Sequence, residues 1–127
     1  MRITCSWIVS VGLMALLLSA SLDAQQVNKE QMAGVRNLSR IESTVACAGA
    51  ITPAAIAEIK KVGYGAIINL RLATEEGADI PGHTAAAKAA GIRYIHIPFS
   101  TAKPDPAAVD AFLKAITEPG VAPAFIH

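Results

Sequence analysis

Two residues of the sequence lie where an α/β protein would carry out chemistry. His127 follows the apolar run 122–126, which is predicted as a parallel strand, and in open α/β sheets ligands bind at the carboxyl ends of such strands. Arg71 likewise follows a predicted strand, and its planar guanidinium matches the oxygens of a phosphate group. A surface ion pair with Glu75 or Glu76 accounts for Arg71 equally well. These positions predict a functional edge that could hold an anion.

Cys47 and Asp105 have side chains that could react, and each also has a structural explanation. Removal of a signal peptide would leave Cys47 as the only cysteine, so the chain as given would form no internal disulfide. A small buried apolar side chain is the simpler interpretation of Cys47, and pairing with a second cysteine is the alternative. Asp105 precedes Pro106, a pair that is typical of a helix N-cap and its first turn. The residue types alone leave both roles open.

The other histidines and the glycines indicate no bound cofactor. His83 has no partner at metal-ligand spacing and is predicted at the surface, where a helix begins. His96 alternates with isoleucines and is predicted to be packed or at the surface rather than a ligand. Gly63 and Gly65 lack the spacing and the following helix of a dinucleotide-binding loop. We therefore expect neither a metal nor a cofactor.

The length and charge of the chain limit its size and partners. At 127 residues we expect one domain at most. Lys plus Arg is 11 and Asp plus Glu is 10, which gives a formal charge of +1, and no basic stripe follows the chain. This balance gives no electrostatic reason to expect a nucleic acid as partner.

The first 24 residues are typical of a secretory signal peptide. Arg2 precedes an apolar core over 7–18, and Ala24 offers a cleavage point. The core is shorter than the ~20 apolar residues of a membrane span, so an uncleaved anchor is the weaker alternative. We expect a periplasmic or secreted protein with no membrane contact after cleavage. A polar linker over 25–38 and an α/β domain over 39–127 would follow.

Beyond the linker, apolar runs alternate with amphipathic helical patterns. The runs predict strands over 44–48, 66–70, 94–97 and 121–126. Helices are predicted from Thr52 as N-cap to Gly63, over 82–90, and from Asp105. The apolar stripe of the last helix is formed by Val109, Phe112, Leu113 and Ile116. This order predicts a three-layer α/β domain, with a mostly parallel central sheet flanked by helices, that is C-terminally incomplete.

Several of these segments together resemble a known family. They are Gly49–Thr52, Gly63–Arg71, Glu75–Glu76, Ala90–Pro98 and Ala124–His127. As an ordered set they are similar to the bacterial cysteine-dependent phosphatase-like domain related to dual-specificity and protein tyrosine phosphatases. That domain is also found fused to β-lactamase-like hydrolases. The resemblance covers roughly residues 38 to 127.

The resemblance implies a chemistry and roles for four residues. In that family the histidine at this strand end is followed by a cysteine, five residues and an arginine, which form a phosphate-binding loop at a helix N-terminus. A thiolate of lowered pKa attacks phosphorus there, and an aspartic acid protonates the leaving oxygen. His127 would orient the loop and help keep the thiolate, while Arg71 would help the anion dock. Asp105 is the candidate acid, although relatives usually carry it closer to the preceding strand. Cys47 could form a reversible disulfide with the catalytic cysteine if its strand neighbours the last one.

The resemblance therefore implies the N-terminal fragment of a secreted or periplasmic cysteine-dependent phosphatase. Its substrate would be phosphorylated and of unknown type, and the chain as given, which lacks the cysteine and arginine of the loop, should have no turnover. A rhodanese-like sulfur transferase, which carries sulfur as a persulfide, is one alternative. A non-catalytic binding or regulatory module is the other.

Overall fold

A computed structural model describes residues 26–127, and the predicted signal peptide over 1–24 lies outside the described residues. Six strands are present: β1 (Val27–Lys29), β2 (Ser39–Ile41), β3 (Val45–Cys47), β4 (Ala66–Asn69), β5 (Arg93–His96) and β6 (Ala124–Ile126). Three helices accompany them: α1 (Ala55–Val62), α2 (Ile80–Ala90) and α3 (Pro106–Thr117). No helix within this part of the chain is long and apolar enough to cross a membrane.

The strands form one mixed sheet in the order β1-β2-β3-β6-β4-β5. The four strands β3, β6, β4 and β5 are parallel, whereas β1 and β2 are antiparallel additions at one edge. The last strand, β6, lies between β3 and β4, so that Ile126 is in register with Cys47 on one side and with Ile68 on the other. The predicted mostly parallel sheet is confirmed, and its carboxyl edge gathers the ends of four strands.

Side-chain alternation along the sheet builds a core on each face. Phe125 packs with Ile56, Ile59 and Ile67 in the layer covered by α1 and α2. Residues such as Ala66, Ile68, Ala115 and Val121 form the second cluster, under α3. The three-layer architecture expected from continuous apolar strands is therefore present, because a parallel sheet must be covered on both faces.

The segment predicted as a linker over 25–38 differs from that expectation, because it carries an edge strand and a core residue. β1 pairs with β2, the amide of Glu30 donates to the carbonyl of Leu38 at 3.0 Å, and the Leu38 side chain is 2% exposed. All three residues of β1 are exposed. A short strand of this kind needs only backbone hydrogen bonds and leaves no apolar alternation for sequence analysis to detect.

Two helices begin elsewhere than predicted. α1 starts at Ala55, after a turn in which the Ala55 amide donates to the Thr52 carbonyl, and no side chain caps it. α2 starts at Ile80 rather than near 82, with the Asp79 side chain accepting from the amide of Gly82 at 3.1 Å. The left-handed cap at Gly63 is confirmed, at φ 111°. The earlier start of α2 places position 83 within the helix rather than at its beginning.

The apolar stripe predicted for α3 is half correct. Phe112 and Ile116 pack against the sheet together with Ala108 and Ala115. Val109 and Leu113 are 45% and 52% exposed. Small alanine side chains let the helix approach the sheet closely, and an apolar residue count cannot distinguish that face from the one beside it.

The buried Leu38 gives a test of whether the segment before β2 belongs to the fold. Leu38→Ala should lower the free energy of unfolding by about 3 kcal/mol, because truncation leaves a cavity in the core. Leu113→Ala makes the same chemical change at an exposed site and should cost less than about 1 kcal/mol. Urea unfolding of both variants measures the difference, and equal losses would show that Leu38 is not a core residue.

Candidate active site

His127 is fixed at the carboxyl end of the central strand by its backbone. Its amide donates to the carbonyl of Ile68 at 3.0 Å, and its carbonyl accepts from the amide of Leu70 at 2.7 Å. These bonds continue the ladder between β6 and β4. Because side chains alternate along a strand, the ring lies on the same face as Phe125, and His127 is only 5% exposed. The candidate histidine is therefore a buried polar group at the carboxyl edge of the sheet.

His83 faces His127 from α2. The two rings meet edge to face, with centroids 5.3 Å apart and planes at 85°. The prediction of a surface His83 is wrong, since the residue is fully buried. Position 83 was expected where the helix begins, but α2 begins at Ile80, and His83 lies within it on the face that also buries Ala87. Asp79 ahead of Pro81 was the sequence signal that could have placed this start.

A buried asparagine and a tyrosine join the histidine pair, and sequence analysis missed both. Asn69, at the end of β4, donates from Nδ2 to Tyr94 Oη at 2.7 Å, and its Oδ1 accepts from the amide of Arg71 at 2.8 Å. Tyr94 Oη lies 3.4 Å from His83 Nδ1. The signal was a single polar residue inside the run Ala66-Ile67-Ile68-Asn69-Leu70, because a buried amide requires partners.

Arg71 forms the ion pair that the sequence offered as one of two explanations. Its Nη2 lies 3.3 Å from Glu75 Oε2 and donates to the carbonyl of Glu76 at 2.9 Å. The Glu75 carboxylate also accepts from the amide of Leu72 at 3.0 Å, which closes the loop after β4. The guanidinium is therefore held at the edge by an acidic neighbour. Its role as an anion ligand stays a prediction.

His96 supports the backbone of the same loop. Its Nε2 donates to the carbonyl of Arg71 at 2.9 Å. As predicted, the ring is on the face opposite Ile95 and Ile97, which pack under α3. His96 is thus a packed histidine that holds the main chain at Arg71.

Arg71, Glu75 and His127 line an open cleft at the carboxyl edge, whereas His83, Asn69, Tyr94 and His96 lie outside its lining. The cleft is formed by the loop after β4, the segment after β5 and the end of β6, with lining residues Leu70, Arg71, Leu72, Glu75, Phe99, Ser100, Thr101, Ala102 and His127. Asp105 does not line it. The Asp105 side chain accepts from the amide of Ala107 at 2.9 Å and caps α3, so the capping interpretation is confirmed. A catalytic role for Asp105 stays a prediction.

Cys47 lies beside the site but on the other face of the sheet. Its strand pairs with β6 as anticipated, with Cys47 in register with Ile126. The interpretation of Cys47 as a buried apolar residue is wrong, because the residue is exposed, whereas the neighbouring Ala46 is fully buried. Partial covering of the sulfur still raises the pKa of the thiol through desolvation. Identical small neighbours at 46 and 48 gave the sequence no means of choosing the face.

The surroundings of His127 favour a neutral ring. Burial is the main cause that lowers its pKa, and electrostatic repulsion from Arg71, and from His83 and His96 whenever those imidazoles carry a second proton, lowers it further, to about 4. Neither ring nitrogen has a hydrogen-bond partner among residues 26–127. At neutral pH the ring therefore carries one N–H donor and one acceptor, and both nitrogens are buried. In the same part of the chain, no group of three potential metal ligands comes together.

The fold and this edge define a three-layer α/β domain whose polar side chains converge at the carboxyl ends of parallel strands. A profile of the family described as "Beta-lactamase hydrolase-like protein, phosphatase-like domain" matches residues 35–126. This match covers most of the chain, and the protein belongs to that family. The resemblance expected from the ordered segments is thereby confirmed. No match was found among curated proteins.

Solved structures with the same fold come from two bacteria. Two crystal structures of a candidate phosphatase (DUF442) from Shewanella putrefaciens CN-32 give a TM-score of 0.66 at 23% identity, covering 74% of this chain and 59% and 62% of theirs. A candidate phosphatase from Neisseria meningitidis Z2491 gives a TM-score of 0.59 at 20% identity, covering 76% of this chain and 66% of that one. At these identities the likeness shows the fold alone. The chain spans less than two thirds of the length of each structure.

We expect acid to destabilise the protein through His127. The folded-state pKa is about 4 against an ordinary 6.5, so below pH 6.5 the unfolded chain binds a proton that the folded chain does not bind until about pH 4. This effect is absent above pH 6.5. Between pH 6.5 and about pH 4, this extra proton on the unfolded chain should lower the free energy of unfolding by roughly 2 kcal/mol. Urea unfolding at pH 7 and pH 4.5 measures the loss.

The His127→Gln variant separates this group from every other titrating residue. It lacks the titrating ring, so its loss between the two pH values should be smaller than that of the parent protein by most of this amount. An identical acid sensitivity in the two proteins would show that His127 is not the group responsible.

Proposed function

We propose that this domain belongs to an exported cysteine-dependent phosphatase that hydrolyses phosphomonoesters through a phosphocysteine intermediate. His127 would precede the nucleophilic cysteine, which would follow it in the complete protein together with the arginine of the phosphate-binding loop. The residues described above would supply the base of the site. Family membership supports the phosphatase reaction, and the N-terminal pattern over 1–24 supports export.

The placement of His127 carries this proposal. The residue ends the central strand, next to the ends of β3 and β4, where the first turn of a following helix could present its amides to an anion. Its neutral ring can donate a hydrogen bond to that loop without adding a charge that would compete for the phosphate. At a strand end of this kind, a thiolate and a phosphoryl group could lie together in a site that is partly shielded from water.

The proposed reaction balances in two displacements. The thiolate attacks phosphorus, the bond between phosphorus and the ester oxygen breaks, and a carboxylic acid protonates the leaving oxygen. A water molecule then attacks phosphorus, gives its proton to that carboxylate, and breaks the bond between sulfur and phosphorus. Inorganic phosphate and the thiolate result, and no redox partner or metal is required.

Arg71 fits this reaction as a ligand for the approaching anion. Its guanidinium lies in the same cleft as His127 and is held by Glu75 at 3.3 Å. A phosphate could displace the carboxylate as partner, because both accept the planar guanidinium fork. When no phosphate is bound, the Glu75 carboxylate would neutralise the guanidinium and so reduce its attraction for other anions.

A sulfur transferase is the second candidate, since it would use a cysteine in a similar loop. Exposed Cys47 gives this candidate no extra support, because it lies on the face of the sheet away from His127. A binding module without turnover is the third. The reaction products distinguish the three: inorganic phosphate, thiocyanate formed from thiosulfate and cyanide, or neither.

The complete protein, recovered from the periplasmic fraction, should release phosphate from an aryl phosphate. Serine in place of the cysteine proposed to follow His127 should lower turnover by at least about a thousandfold, because the alkoxide needed for attack is scarce at neutral pH. Cys47→Ser, the matched change at the other thiol, should keep most of the activity. Thiocyanate formation without phosphate release would identify the transferase, and absence from both the periplasm and the culture medium would contradict export.

Asp105 can be tested for its two roles separately. Asp105→Asn retains the cap, because asparagine caps a helix about as well as aspartate, but it cannot protonate a leaving oxygen. Asp105→Ala should cost about 1 kcal/mol of stability, and Asp110→Ala, an exposed control on the same helix, less than about 0.5.

If Asp105 only caps α3, the asparagine variant should keep its turnover and its stability. A fall in turnover of at least about a hundredfold in Asp105→Asn, with unchanged stability, would instead make it the general acid.

A further inference from the structure

The hydrogen bonds around Tyr94 run in one direction. The amide of Arg71 can only donate, so the Asn69 side-chain oxygen must face it and the Asn69 Nδ2 must point toward Tyr94. Tyr94 Oη accepts this bond at 2.7 Å. Burial raises the pKa of the Tyr94 hydroxyl, which therefore keeps its proton and has it available to donate.

The next acceptor along this path is His83. The carbonyl of Ile51 can only accept, so His83 Nε2, 3.1 Å away, carries a proton and donates it. In the neutral ring, Nδ1 is then the acceptor, and it lies 3.4 Å from Tyr94 Oη. Asn69, Tyr94 and His83 thus form a chain of hydrogen bonds, here called the Asn69–Tyr94–His83 chain, in which each donor meets an acceptor.

This chain ends against the ring of His127. His83 is fully buried, and its two ring nitrogens are bound from opposite sides, by Tyr94 and by Ile51. Its ring plane is consequently fixed, and it contacts the His127 ring edge to face at a centroid distance of 5.3 Å. His127 has no hydrogen-bond partner within residues 26–127, so contact with a fixed neighbour is what defines its orientation.

We propose that His83 is a positioning residue for His127, and that the Asn69–Tyr94–His83 chain holds it in one tautomer and one ring orientation. Nothing in the proposed phosphatase reaction requires His83 to touch substrate. Its consequence for turnover rests on the proposed function, because a fixed His127 would present the same ring nitrogen to the loop in every cycle. The orientation and titration of His127 do not rest on that function.

The charged and titratable groups around His127 come from three directions. His83 approaches from α2, Arg71 from the loop after β4 and His96 from β5, and Glu75 neutralises part of the Arg71 charge. Cys47 of β3 lies on the other face of the sheet. Substitution of His83 changes one of these groups and leaves the others in place.

The test is nuclear magnetic resonance of the complete protein labelled with ¹⁵N-histidine. In the parent protein, His83 should show a protonated Nε2 and a bare, hydrogen-bonded Nδ1. His83→Gln keeps a donor for the Ile51 carbonyl but removes the ring. It should raise the titration midpoint of His127 from about 4 toward its ordinary 6.5, by about one pH unit. Tyr94→Phe should release Nδ1 of His83, change its ¹⁵N shift, and move the His127 midpoint, because the freed His83 ring no longer holds one orientation against His127.

Tyr64→Phe is the matched control. The Tyr64 hydroxyl belongs to the same core cluster, but it is buried without a hydrogen-bond partner in the described part of the chain. This variant should leave both signals unchanged. A His127 midpoint that stays unmoved in folded His83→Gln and Tyr94→Phe proteins, or that moves equally in Tyr64→Phe, would overturn the proposal. If His83→Gln does not fold, Tyr94→Phe and its control decide alone.

Turnover of aryl phosphate supplies a separate readout. His83→Gln should lower kcat about tenfold with little change in KM, and the acid limb of the pH profile should move with the His127 midpoint. A protein without phosphatase activity would refute the proposed function, and the titration would still decide whether His83 positions His127.

Discussion

The site depends on one constraint, which is the parallel pairing of β6 between β3 and β4. This pairing fixes the direction of every side chain on the strand, so Phe125 enters the core beneath α1 and α2 and His127 follows on the same face. The polar ring of His127 is thereby buried in the layer beneath α1 and α2. Burial and nearby positive charge then lower the pKa of that ring to about 4.

The polar groups around His127 are stable there because each has a partner. A buried group without a hydrogen bond costs about 1–3 kcal/mol, and Asn69, Tyr94 and His83 avoid that loss by bonding to one another and to backbone groups. Such a network has few alternative arrangements, because each member has only one proton assignment that satisfies its neighbours. Complete hydrogen bonding therefore removes the cost of burying these polar groups and also makes their arrangement rigid.

The loop after β4 holds the backbone and the side chain of Arg71 through separate partners. Its backbone is held by Asn69 at the amide of Arg71 and by His96 at the carbonyl of Arg71, while Glu75 holds the guanidinium. The hydrogen bonds to the amide and to the carbonyl of Arg71 thus keep its positive charge at the edge of the sheet. The same loop lies within the residues that match the phosphatase-like family.

The order of the four parallel strands and the helices, the three layers and the position of His127 at a strand end could be predicted from the sequence, because parallel strands require continuous apolar runs and helix ends carry glycine and proline signals. The antiparallel strand β2 was not predicted. The edge strand β1 could not be predicted, since it buries no side chain and is held by backbone bonds. Nor could the Asn69–Tyr94–His83 chain be predicted, because its members are 11 to 25 residues apart and meet only when α2 packs on the sheet. Cys47 was misplaced for a related reason. Local pattern determines which residues alternate, but only the packing of distant elements decides which face is covered.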